Sequence, residues 1–264
     1  MQVPRVLDAV RTAALEAAVL TGRLALYSTG LLAERPVPEP VSRDGGAAPG
    51  PRPVLLIHGF VDNRSVFALA RRSLGRHGWD QLASVNYSPL TWDVRAAAEA
   101  FGTQLEEFRA RTGRPRVDVV AHSLGGLIAR YCVQRLGGDA HVHTLLTLGT
   151  PHAGTRAAPA LSLHPLVRQM RPGSDVLAEL AGPAPGCRTR FVSFWSECDQ
   201  VVDPVHSARL VHPDLRCRSV RVRGVGHLAL PVHSAVIAQV RRELLADLED
   251  NADARSPAPS AEVA

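Results

Sequence analysis

The chain has 264 residues, of which 45% are hydrophobic and 21% charged. That is the balance of a globular protein with enough apolar side chains for a sizeable core, so a wholly disordered chain is excluded. The net charge is +5, but all 30 basic residues are arginine and are scattered rather than clustered, and aromatic residues reach only 5%. No nucleic-acid partner is expected, and the arginine bias reads as genome composition.

Residues 1–34 predict a helix. Val6, Val10, Ala14, Ala17, Val19 or Leu20, Leu24 and Tyr27 recur at helical spacing, with Asp8, Arg11, Glu16 and Arg23 between them. The expectation is a helix packed on the main domain, or one that touches a lipid surface, where Arg11 and Arg23 would favour anionic headgroups. Its longest uncharged run, Leu24 to Ala33, is too short to cross a bilayer, and the segment does not read as a secretory signal, so a cytoplasmic or peripherally membrane-associated protein is expected. Residues 35–53 are dense in proline and glycine and form a linker.

From 54 to about 250 the pattern alternates. Apolar runs at 53–57, 82–87, 116–121, 142–148, 190–195 and 217–222 predict strands, and helices are expected at about 63–77, 92–112, 124–137, 204–211 and 230–249. Strands without polar alternation suit a sheet buried on both faces, so the fold class is α/β: a mostly parallel sheet with helices on both faces. The proline-rich interval 155–187 is long for a connection and predicts a small cap. Residues 251–264 read as a polar, disordered tail.

The chemistry centres on Ala121-His122-Ser123-Leu124-Gly125-Gly126, which joins a predicted strand to a predicted helix. A serine on such a sharp turn is held in a strained conformation, and the positions two before and two after it must be small because strand and helix crowd there. The helix N-terminus offers free N–H groups to an oxyanion. A second donor is expected after an early strand, where Ile57-His58-Gly59-Phe60 lies, so Phe60 and Leu124 N–H are the candidate oxyanion donors; His58 is expected to orient the loop.

A serine nucleophile needs a base and an orienting acid, which in this architecture follow it in the order acid, then histidine. His227, in Gly224-Val225-Gly226-His227-Leu228 after the last strand, is the candidate base. His122 is expected to point away from Ser123. For the acid, Asp199 stands in the first turn after the strand at 190–195, with Asp203 and Glu197 as alternatives; Asp203 precedes Pro204, where an aspartate often caps a helix. Leu161, Leu163, Leu166, Val167, Met170 and Leu177 of the cap are expected to line an acyl pocket. Cys187 and Cys217 each precede a late strand and could be bridged, although the lack of a secretory signal favours reduced thiols.

These motifs resemble those of the bacterial α/β-hydrolase lipases and esterases, in particular small members with alanine in place of the first glycine of the nucleophile elbow. The resemblance rests on HGF at 58–60, AHSLGG at 121–126, LGTPHAGT at 148–155, SECDQVV at 196–202 and GVGHLAL at 224–230, and covers about 54 to 244. It implies Ser123, Asp199 and His227 as a triad, Phe60 and Leu124 as oxyanion donors, and an acyl ester or lipid substrate; no cofactor is expected, and no metal, because the carboxylate clusters that hold calcium in some relatives are not located in this sequence. Acyl transfer or thioester hydrolysis is the alternative on the same fold, and a non-catalytic binding module a more distant one.

Overall fold

The computed structural model describes residues 3–32, 50–88, 91–157 and 163–253; the expected linker and tail fall largely outside them. The elements in chain order are α1 (Val3–Leu26), β1 (Val54–Ile57), α2 (Ala68–Arg76), β2 (Leu82–Val85), α3 (Val94–Thr112), β3 (Val117–His122), α4 (Leu124–Arg135), β4 (Val142–Leu148), α5 (Pro165–Gln169), α6 (Asp175–Ala181), β5 (Arg190–Ser196), β6 (Arg216–Val222) and α7 (Ser234–Asp253). The helix expected at 204–211 is a single 3-10 turn, Val205–Ala208, hemmed between Pro204 and Pro213.

Six strands form one parallel sheet in the order β2-β1-β3-β4-β5-β6. Every residue of β1 and β3 is buried, as a sheet covered on both faces requires. The two-residue period sorts their side chains into two cores. Leu55, Ile57, Val119 and Leu145 meet Phe101, Leu105 and Phe108 of α3 and Leu127 of α4. Leu56, Val120, Leu146 and Phe194 meet Leu74 of α2 and Val236, Ile237 and Val240 of α7. Each fully buried phenylalanine or leucine is worth about 2 kcal/mol of hydrophobic stabilisation. β6 lies at an open edge, where exposed Arg216, Arg218 and Arg221 discourage pairing with another strand.

After β2 the chain crosses back past β1 to β3, so strand order reverses between β1 and β3. In open α/β sheets the crevice beyond the strand ends at such a switch point is where ligands bind. The Gly59–Phe60 loop after β1 and the Ser123 turn after β3 therefore emerge side by side.

Residues 163–187 are fastened down. Arg130 and Arg135 of α4 donate to the carbonyls of Leu180 and Pro183, each at 2.8 Å, and Arg95 of α3 pairs with Glu179 at 2.5 Å. Gln169 donates to Asp93, the N-cap of α3, at 2.7 Å. The four cysteines are free thiols, so the Cys187–Cys217 bridge is not formed; Cys187 Sγ instead lies 3.4 Å from Asp139 Oδ1.

The packing of α1 reverses the expected stripe. Thr12, Leu15, Glu16, Val19 and Arg23 face the domain, whereas Val10 is 61% and Leu24 69% exposed. The reason is the surface beneath, where Leu15 and Val19 pack on the core of α2 and α7 while backbone groups of the 224–229 loop and the Asp62 carboxylate meet Thr12, Glu16 and Arg23. Arg23, expected to meet headgroups, is only 8% exposed. Among the described residues no helix is long and apolar enough to cross a membrane.

Candidate active site

Ser123 stands between β3 and α4 with φ 52° and ψ −124°, a left-handed conformation that costs a non-glycine residue about 1–3 kcal/mol. The surrounding packing enforces it. Ser123 N–H continues the sheet by donating to Leu148 O at 3.0 Å, and Thr150 Oγ1 donates to Ser123 O at 2.9 Å. A Cβ at Gly125 would collide with the carbonyls of His58 and Ile57, and one at Gly59 would stand 2.9 Å from Ser123 Cβ. Small residues are needed because β1 runs against the first turn of α4.

The first N–H groups of α4, Leu124 among them, have no acceptor within their own helix. Across from them, Gly59 O accepts from His58 Nδ1 at 2.8 Å and from Tyr87 Oη at 2.6 Å. Because a peptide unit is planar and trans, fixing the Gly59 carbonyl also fixes the direction of the Phe60 N–H on its other side. Tyr87 stacks on His58 with ring centroids 4.5 Å apart. Burial lowers the His58 pKa to about 4, so its imidazole is neutral and carries its proton on Nδ1.

His227, on the loop after β6, donates from Nδ1 to Asp199 Oδ2 at 2.8 Å. Asp199 Oδ1 accepts from Val201 N and Val202 N at 2.9 and 2.8 Å, so its carboxylate is held at both oxygens. With Nδ1 engaged, Nε2 is the nitrogen left to take up a proton. Asp203 and Glu197, the alternative acids, are exposed, and Glu197 pairs with Arg221 at 3.3 Å. Ser123 and His227 line one cleft of about 380 Å³ with Phe60, Val167, Met170 and Val201.

Of the cap residues expected to line an acyl pocket, Val167 and Met170 line the Ser123 cleft, and Leu166 lines an adjoining cavity. Leu163 is 85% exposed, and Leu177 is buried in the α3–α4 core, so neither belongs to a pocket wall. Leu163 precedes α5 in an exposed segment, and Leu177 on the short α6 is turned into the core. Leu161 lies outside the described residues.

His122, expected to point away, also lines the cleft. Its Nε2 donates to the His227 carbonyl at 3.2 Å, and its ring lies 4.9 Å from that of His227. Burial holds its pKa well below the usual range, reinforced by His227 and Arg23. Glu16 and Arg23 of α1 were not singled out as site residues. Glu16 accepts from Leu228 N and Ala229 N at 2.8 and 2.9 Å, directly after His227. Arg23 donates to Leu228 O at 2.6 Å and to Asp62 Oδ2 at 2.5 Å. Burial raises the Asp62 pKa against the pull of Arg23. Their signal in sequence is the two-turn spacing of Glu16 and Arg23 on one helix face, which a solvated face would show as well. Among the described residues no group of three or more His, Cys, Asp or Glu could hold a metal ion.

A family model described as "Domain of unknown function (DUF7379)" matches residues 27–203. The chain belongs to that family. The span matched to DUF7379 includes β1, the Ser123 turn and Asp199 and ends before His227. Among solved structures, the mature form of the lipase BlEst2 of Bacillus licheniformis is similar at a TM-score of 0.64 and 16% identity, covering 80% of this chain and 96% of that one. A hyperthermophilic esterase from the archaeon Pyrobaculum calidifontis is similar at 0.58 and 15%, covering 92% and 98%. Lipase B of Aspergillus fumigatus is similar at 0.58 and 18%, covering 69% and 47%. These likenesses show that this DUF7379 member has the α/β-hydrolase fold.

Two outcomes follow from the buried charges. Arg23→Ala leaves the Asp62 carboxylate buried without its counter-charge and should destabilise the fold by about 3 kcal/mol in chemical unfolding, with Arg23→Ala/Asp62→Asn recovering part of the loss. The second concerns acid. Buried His58, His122 and His152 all have lowered pKa values, so the unfolded chain takes up protons that the folded one refuses. Stability should therefore be complete above about pH 6.5 and fall as pH drops towards about 4, with His58 alone worth about 3 kcal/mol over that window. A Tm that does not change between about pH 7 and pH 5 would contradict this.

Proposed function

We propose that the protein is a serine carboxylic ester hydrolase that works through an acyl-enzyme. The observation that carries the reading is the Asp199–His227 hydrogen bond at the edge of the cleft that Ser123 enters from a strained strand-to-helix turn. In this mechanism His227 Nε2 takes the Ser123 proton as Oγ attacks the ester carbonyl. Phe60 and Leu124 N–H stabilise the oxyanion, with the Leu124 donor reinforced by the helix dipole. Asp199 holds the tautomer and balances the imidazolium. His227 then protonates the departing alcohol, and water repeats the steps to release the acid. The fold of the lipases and esterases named above supports the class of reaction.

The substrate in this reading is lipid-like. The cleft wall at Val167, Met170 and Val201 is apolar, and α1 turns Val10, Leu20 and Leu24 outward. In this reading Val167 and Met170 of the cap shape the acyl side of the cleft.

Ser123→Ala should lower kcat/KM on p-nitrophenyl esters by about 10⁴-fold or more while the unfolding midpoint is retained. Hydrolysis by this variant at the parent rate would overturn the proposal. For the lipid surface, Leu20→Glu/Leu24→Glu should abolish co-sedimentation with phospholipid vesicles and leave turnover of a soluble short-chain ester unchanged. Equal sedimentation of both forms would remove the outer face of α1 from the account.

A further inference from the structure

Two peptide units follow directly on His227, and side chains hold each of them at both ends. The 227–228 unit accepts at His227 O from His122 Nε2 at 3.2 Å and donates from Leu228 N to Glu16 Oε2 at 2.8 Å. The 228–229 unit accepts at Leu228 O from Arg23 at 2.6 Å and donates from Ala229 N to Glu16 Oε1 at 2.9 Å. Three of these four bonds reach α1, between 205 and 213 residues away along the chain.

The rest of the loop orients the base less firmly. On the other side of His227 stand Gly224, at φ 65°, and Gly226, and neither has a side chain to fix the backbone. Val225, Ala229 and Leu230 are buried in the core, but apolar burial is non-directional and leaves the tilt of a peptide plane open. The ring is tethered to Asp199 through Nδ1 alone, and a single hydrogen bond permits pivoting. Where Nε2 points therefore depends on where the backbone carries the ring.

Glu16 fits this loop closely. Its two oxygens take successive amides in charge-assisted bonds, and a Cβ at Gly226 would stand 2.4 Å from Glu16 Cδ. One turn earlier on α1, Thr12 Oγ1 donates to Gly224 O at 3.3 Å.

We propose that Glu16 is a positioning residue for the candidate base: by fixing the two peptide units after His227 it aims Nε2 at Ser123. The inference rests on the ester-hydrolase reading above. Glu16 stands outside the Ser123 cleft, so it acts on proton transfer and not on substrate binding.

The test is a double-mutant cycle in the full chain with a short-chain p-nitrophenyl ester. Glu16→Ala should lower kcat by about 10- to 100-fold, the scale of a displacement of about 1 Å, and leave KM within about twofold. In a His227→Ala background the same substitution should cost little more, because no base remains to be aimed. A purely structural loss would lower turnover by the same factor in both backgrounds. Glu16→Gln keeps the shape and one acceptor, so its kcat should fall between those of the parent and Glu16→Ala, and it carries the cycle if Glu16→Ala does not fold. Proton exchange gives a measurement independent of turnover. The His227 Nδ1 proton, identified by NMR through its loss in Asp199→Asn, should exchange with water faster in Glu16→Ala than in the parent. A parent-like kcat in Glu16→Ala, or equal losses in both backgrounds, overturns the positioning role and leaves the hydrolase standing. A wild-type protein that cleaves no ester overturns the hydrolase; accelerated exchange in Glu16→Ala would then still uphold Glu16 as the support of the His227 ring, and unchanged exchange would overturn that too.

Discussion

The carbonyls of Ile57 and His58 press so closely on the first turn of α4 that a side chain at position 125 would overlap them. That contact sets the spacing between the end of β1 and the Ser123 turn, and the site follows from it. Ser123 is forced to a positive φ, which lifts it out of the plane of the sheet and towards the crevice at the switch point. Gly59 can lie against Ser123 Cβ only because it too lacks a side chain. Both proposed oxyanion donors thus come from segments whose separation is fixed by backbone packing rather than by flexible side chains, which is what electrostatic preorganisation demands.

The loop carrying His227 follows the edge strand β6 and is backed on one side by the core, where Val225, Ala229 and Leu230 are buried with Leu148 and Phe194. Its other support comes from the N-terminal helix. The Glu16 carboxylate caps the amides of Leu228 and Ala229, and Arg23 ties the Leu228 carbonyl to Asp62, two residues beyond Phe60. Gly226 makes room for Glu16, since a Cβ there would meet its carboxylate. Helix α1 therefore joins the loop after β1 to the loop after β6 across the ends of the intervening strands. This charged clamp explains why α1 buries Glu16 and Arg23 alongside Leu15 and Val19.

The strands were legible because β1 is an unbroken apolar run and β3 and β4 carry apolar residues on both faces, and burial on both faces leaves few other places for such a segment. The Ser123 turn was legible from the small residues that steric crowding imposes, and Asp199 and His227 from their places after late strands. The orientation of α1 was not. Val10, Leu20 and Leu24 obey a helical period, but periodicity measures only the apolar preference of a face, and here exposed backbone amides of the 228–229 loop outweigh it. Leu177 failed for a related reason: a helix as short as α6 is oriented by its anchor, Leu180 on Arg130, and composition carries no record of that distant partner.

Three histidines crowd the strand ends, and what faces each ring separates their roles. His58 and His122 each donate to a backbone carbonyl, of Gly59 and of His227 respectively. A carbonyl fixes the tautomer of a ring but supplies no full negative charge to offset a second proton, and burial then keeps both rings neutral. His227 alone of the three donates to a carboxylate, and that carboxylate is itself held by two amides that keep it from turning away. Of the three rings, only that of His227 is hydrogen-bonded to a carboxylate, that of Asp199. The choice of base in the proposed mechanism is thus made by the acceptor behind the ring: nearness to Ser123 in sequence would have favoured His122, and the Asp199 carboxylate favours His227.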